Sequence, residues 1–142
     1  MVKDFYHQHV VEALIKDGWT ITHDPYYVPI GNRRGYIDLG AEKSIIAAEK
    51  ESENKLEQIA VEIKSFISKS DLNDFEGALG KFQLYFFALE DLDPQRMLFL
   101  AIPVGFYNRF FNDTFFVRFI QRARLKILIY DEQTKTIDSW IK

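Results

Sequence analysis

Cysteine is absent from the 142 residues, which excludes disulfides and cysteine-ligated metal sites. No stretch approaches eighteen consecutive apolar residues, so no membrane span is expected. Met1 to His7 contains no apolar signal-peptide core, and none is expected. A basic excess is missing too. The formal net charge is −3, which argues against a non-specific nucleic-acid coat but leaves room for a local basic patch. Repeats and low-complexity tracts are lacking. These absences fit a cytoplasmic protein. What is present is apolar and aromatic: 47% of the chain is hydrophobic and thirteen residues are Phe. That excludes disorder and suffices for the core of one domain over residues 1–142.

Periodicity orders the chain. Phe5, Val10, Val11, Leu14 and Ile15 recur at helical spacing and predict a helix over 3–17, closed by a left-handed Gly18. Residues 19–23 read as a strand. Pro25, Pro29, Gly31 and Gly35 mark 26–35 as a loop. A strand begins at 36–39 and resumes over 45–49. The charged run 50–55 reads as a hairpin tip, and 56–65 returns as a strand. Ser70 or Asp71 caps a helix to about Leu89, with Leu72, Phe75, Leu79, Phe82, Phe86 and Leu89 as its apolar stripe. Gly77 and Gly80 inside it suggest close backbone packing on a sheet. The run 96–102 is apolar throughout, as for a central strand buried on both faces. One or two Phe-rich helices span 104–123, and strands at 125–130 and 136–140 finish the chain. Strands first in a run and then alternating with helices predict an α/β fold, a central mixed β-sheet flanked by helices.

The chemistry concentrates at Ile59-Ala60-Val61-Glu62-Ile63-Lys64-Ser65. Alternation puts Ile59, Val61 and Ile63 on one face of this strand and Glu62 and Lys64 on the other. Charges at the end of so apolar a strand are costly unless something binds them. A divalent metal with a phosphate oxygen would do so. A metal-dependent nuclease needs oxygen ligands from different strands and a cation to hold the phosphate or the water. Asp38 and Glu62 supply the carboxylates, the Ile63 carbonyl a third oxygen, and Lys64 the cation. Such a set suits Mg²⁺ or Mn²⁺. The plain alternative is a solvated Glu-x-Lys pair on a surface strand.

Other polar residues carry weaker readings. Glu49 is an alternative to Asp38 as ligand, whereas Glu42 reads as a solvated charge and Glu12 as an exposed helical one. His7 and His9 point apart on a helix and do not make a metal pair. Arg33, Arg34, Lys69, Lys81 and Tyr85 are candidate DNA contacts, with Gln83 less favoured. The Phe-rich 106–119 stretch reads as core plus an interface.

Three segments carry a resemblance: Gly18-Trp19-Thr20-Ile21-Thr22-His23-Asp24-Pro25, Ile37-Asp38-Leu39-Gly40-Ala41-Glu42-Lys43 and Ile59 to Phe66. Asp74-Phe75, Ala78-Leu79-Gly80, Leu98 to Pro103 and Trp140 extend it over essentially the whole chain. The sequence resembles the XisH family, the fdxN-element excision controlling factors of cyanobacteria. The resemblance implies a restriction-endonuclease-like, PD-(D/E)XK fold and a role in programmed excision of a DNA element during heterocyst differentiation. It also implies partnership with an XisI-like companion protein and a site-specific recombinase. The nuclease site then falls on Asp38, Glu62 and Lys64. The first-helix acid of such nucleases falls on His7, and their second-helix Gln-x-x-x-Tyr falls on Lys81 and Tyr85, with Gln83 two residues off. Two functions follow: a Mg²⁺-dependent DNA endonuclease, or an inactive nuclease-fold protein that binds XisI or the recombinase.

Overall fold

The computed structural model describes residues 4–46 and 54–142. The first helix, α1 (His7–Lys16), buries Val10, Val11, Ala13 and Leu14. Phe5 and Ile15, expected on that face, are exposed. The helix starts four residues later than expected, so Phe5 precedes it, and Ile15 lies a quarter-turn outside the buried stripe. Gly18 takes φ +93°, and the Trp19 N–H donates to the Leu14 carbonyl at 3.0 Å, the chain reversal expected of a glycine cap.

After β1 (Thr20–His23) the chain forms a hairpin, β2 (Tyr26–Ile30) and β3 (Arg33–Ile37), where a loop was expected. Pro29 pairs with Arg34 in this ribbon. A two-stranded ribbon consists only of edges, where a residue without an N–H is tolerated. Gly35 is required here. A Cβ on it would run into the Ile30 side chain and the Tyr85 ring, because the hairpin lies flat on the second helix.

The main sheet contains β4 (Leu39–Ile46), β5 (Asn54–Ile63), β6 (Met97–Pro103), β7 (Ile127–Asp131) and β8 (Thr136–Ile141). With β1 it has six strands in the order β1-β4-β5-β6-β7-β8. The β5–β6 and β6–β7 pairs are parallel and the others antiparallel. This is the mixed central sheet that the element order predicts. The strand predicted over 56–65 ends at Ile63, so Lys64 follows it rather than lying within it. Residues 47–53, including Glu49, lie outside the described residues.

Helices cover both faces. One core packs Val10, Leu14, Leu39, Ile59, Val61, Ile63 and Phe99 beneath α1. The other packs Ile37, Ala60, Leu98, Leu100 and Ile102 against α2 (Asp71–Leu92), α3 (Val104–Phe110) and α4 (Thr114–Ala123). Each fully buried aliphatic side chain contributes about 1.5–3 kcal/mol. Ser70 caps α2 by accepting from the Asn73 N–H at 3.2 Å. The buried face of α2 is Phe75, Ala78, Phe82, Tyr85 and Leu89; Leu72 and Phe86, expected on it, are exposed. Leu84 and Phe87 are exposed as well, so large apolar residues spread beyond a single stripe and counting residues leaves the inner face of α2 ambiguous. Gly77 and Gly80 do not mediate close packing: a Cβ at either would meet nothing within 4 Å.

One buried arginine pins the end of the sheet away from the C-termini of the parallel strands. Arg96 donates to the Ile59 carbonyl at 2.9 Å and to Asp93 Oδ2 at 3.1 Å, and lies 3.7 Å from Glu42 Oε1. Glu42 also accepts from Gln58 Nε2 at 2.9 Å. It is therefore a half-buried partner of Arg96, not the solvated charge expected.

Candidate functional site

Asp38 is the single residue between β3 and β4, and Glu62 is the penultimate residue of β5. The Leu39–Val61 pairing brings them side by side. Each carboxylate braces the other's backbone. Glu62 Oε1 accepts from the Asp38 N–H at 3.2 Å, and Asp38 Oδ2 accepts from the Ile63 N–H at 2.8 Å. Glu62 Oε2 pairs with Lys81 Nζ at 3.2 Å. The two acids, Lys64, Lys81, Asp4, Gly77 and the Ile63 backbone line a cavity of about 400 Å³. Gly77 is part of that lining, and a Cβ on it would meet nothing within 4 Å.

Both acids are unusually hard to ionise. Glu62 is only 4% exposed; burial, and then repulsion from Asp38, push its pKa up to about 8 against the pull of Lys81. Burial also raises Asp38, opposed by the Ile63 N–H and Lys81. Burial pulls the Lys81 ammonium down, but the two carboxylates more than reverse it and hold it charged. The cavity therefore holds two buried carboxyls whose joint ionisation one half-exposed lysine does not compensate. Among the described residues no three His, Cys, Asp or Glu side chains converge as a metal cluster. A hexahydrated-type cation needs fewer: Mg²⁺ keeps several waters and takes one or two carboxylates. Hard oxygens short of counter-charge fit such an ion.

The family model described as "XisH protein" matches residues 1–138. The chain belongs to the XisH family. Two solved structures are similar over nearly its whole length. One, an XisH family protein from Nostoc punctiforme PCC 73102, is 38% identical, with 98% of this chain and all of that one covered and a TM-score of 0.85. The other, described as a fdxN element excision controlling factor protein from Anabaena variabilis, is 36% identical, covering 96% and 98%, with a TM-score of 0.83. No curated protein matches the chain.

In this XisH-family protein the structure brings Asp38, Glu62, Ile63 and Lys64 to one cavity. The cation paired with Glu62, however, is Lys81 rather than Lys64. Lys81 drew attention only as a DNA contact. His7, at the expected first-helix acid position, is buried with Nε2 2.8 Å from Asp24 Oδ1 and does not line the cavity. Asp4 does, and went unrecognised in the sequence. Its Oδ2 accepts from the Ser65 N–H at 3.2 Å and its Oδ1 from the Tyr6 N–H at 3.1 Å. An aspartate three residues before the helix that starts at His7 would have been the signal. Tyr85 is not positioned for phosphate: it is buried in the core and its hydroxyl accepts from the Tyr36 N–H at 3.2 Å. Arg33 and Arg34 lie on the exposed hairpin, with Arg34 3.8 Å from the centre of the Tyr27 ring. Lys69 is exposed in the link before α2.

Proposed function

We propose that this protein is a metal-dependent DNA endonuclease of the restriction-endonuclease-like, PD-(D/E)XK kind, acting in excision of a DNA element such as the fdxN element. The observation that carries the reading is the cross-braced Asp38–Glu62 pair facing an open cavity beside two lysines. A catalytic pair of acids must be held rigidly, and here each acid is fixed by the other's backbone N–H. Asp38, Glu62 and the Ile63 carbonyl would hold Mg²⁺ or Mn²⁺, with Glu49 the alternative for Asp38. A bound ion would polarise a phosphodiester and lower the pKa of its water. This chain's own residues do the rest. Lys64 and Lys81 orient the phosphate at the cavity mouth, Asp4 faces the same space as a further acceptor, and Arg33, Arg34 and Lys69 contact the DNA backbone further out. No helix among the described residues is long and apolar enough to cross a membrane.

The test is a thermal melt in EDTA and in Mn²⁺, with a plasmid-nicking assay alongside. A ligand at ten times its Kd stabilises by about 1.4 kcal/mol, a shift of a few degrees for a domain of this size. Wild type should shift and nick; Asp38→Asn should do neither. No shift and no nicking above the Asp38→Asn background would sink the enzyme reading.

A second reading, an inactive nuclease-fold protein that binds an XisI-like companion or the recombinase, is favoured by one observation. Phe86, Phe87, Phe115 and Leu84 are exposed on α2 and α4, more aromatic surface than a cleavage reaction requires. Loss of companion binding in Phe87→Glu, with no nicking by wild type, would select it.

A further inference from the structure

Both oxygens of Glu62 are already engaged: Oε1 by the Asp38 N–H and Oε2 by Lys81. A cation that takes Glu62 Oε2 therefore competes with an ammonium for the same oxygen. We propose that Lys81 is a latch that holds Glu62 in the ligand-free protein and transfers to a phosphodiester oxygen when a divalent cation takes Glu62, so that metal and DNA backbone bind cooperatively. This rests on the metal-site reading above and adds to it an order of exchange between two ligands.

Three features make the exchange physically available. The Lys81 side chain is 44% exposed while its partner Glu62 is 5% exposed, so the lysine can swing toward solvent and the carboxylate cannot. While it is paired with Glu62 the ammonium also lies 5.5 Å from the centre of the Tyr36 ring and 5.8 Å from that of Tyr85, so the carboxylate is not its sole favourable contact when it lets go. Gly77, one turn earlier on α2 and on the same cavity, leaves space into which a Cβ would meet nothing within 4 Å. Lys64 shares the cavity but holds no oxygen of Glu62, so the two lysines are not equivalent. When Lys81 leaves, the acids lose their counter-ion unless a metal replaces it. When the metal arrives, Lys81 loses its carboxylate unless a phosphate replaces it. Each ligand thereby removes the cost of binding the other, and the coupling is reciprocal.

The experiment measures Mn²⁺ affinity by electron spin resonance of the free ion. It uses wild type, Lys81→Met and Lys64→Met, each with and without a short DNA duplex whose own Mn²⁺ binding is subtracted. Thermal melts confirm that each variant is folded. Without DNA, Lys81→Met should bind Mn²⁺ about threefold to tenfold more tightly than wild type, the worth of a half-exposed ion pair. Lys64→Met should tighten it less. DNA should tighten Mn²⁺ binding in wild type, and that gain should be absent in Lys81→Met and restored in Lys81→Arg. Equal affinities in wild type and Lys81→Met, or an equal gain in Lys64→Met, would overturn the latch while leaving the metal site standing. No Mn²⁺ binding by any of the proteins would overturn both.

Discussion

Replacing Glu62 by Gln should stabilise the metal-free protein, and the gain should grow with pH. The folded-state pKa of Glu62 is raised from its ordinary 4.5 to about 8. Between those values the folded protein keeps a proton that the unfolded chain has released. The native state thus binds more protons, so wild-type stability falls as pH rises through this window and levels off above about 8. At about 1.4 kcal/mol per pKa unit the full penalty is of order 5 kcal/mol, an upper bound because Asp38 shares it. Gln keeps an oxygen for the Asp38 N–H, and the pull of Lys81 that it gives up is already contained in that pKa, so the sharing with Asp38 is what reduces the figure. The net gain at pH 9 is then about 2–3 kcal/mol, or roughly 5–10 °C in Tm. At pH 5 the two proteins should melt within about 2 °C of each other. Melts in EDTA from pH 5 to 9 decide it. If Glu62→Gln melts at or below wild type at pH 9, Glu62 is a structural partner of Lys81 and its burial costs nothing.

Val61 is fully buried beneath α1, so Val61→Asp should abolish the cooperative near-ultraviolet transition: an unpaired charge there costs several kcal/mol, comparable with the stability of the domain. Arg96→Met should lower stability by about 2–4 kcal/mol in urea unfolding, because it takes the cation from Asp93 and Glu42 and a donor from the Ile59 carbonyl; a loss under 1 kcal/mol would mean that water replaces the guanidinium. Tyr85→Phe removes the acceptor for the Tyr36 N–H and should cost about 1–2 kcal/mol, with faster amide exchange at Tyr36 as the local readout.

Much of the site was legible because alternation along one strand decides it. Ile59, Val61 and Ile63 lie in one core and Ala60 and Glu62 face the other, as the spacing requires. Asp38 was legible as an acid in an apolar context one strand away. Lys81 and Asp4 were not, since they reach the cavity from a helix and from the segment before α1, and no spacing links those to β5. The hairpin β2–β3 was hidden by its own prolines and glycines, which signal a break in a wide sheet but are compatible with a ribbon that is all edge. The inner face of α2 was misjudged because Leu84, Phe86 and Phe87 blur its stripe.

Asp38 has a further consequence that comes from where the chain crosses. Along a regular strand Ile37 and Leu39 would face the same way, yet Ile37 lies in the core under α2 and Leu39 in the core under α1. The polypeptide changes sides of the sheet within one residue, and that residue bears the carboxylate. Its neighbours on either side are clamped, Tyr36 to Tyr85 and Leu39 to Val61. The joint therefore has no slack to share with a loop. Lengthening the hairpin at Gly31–Asn32 should leave the acid in place, whereas inserting one residue beside Asp38 would rotate every following side chain of β4 to the wrong layer. The aim of this carboxylate is inherited from two sheets meeting, and is as rigid as they are.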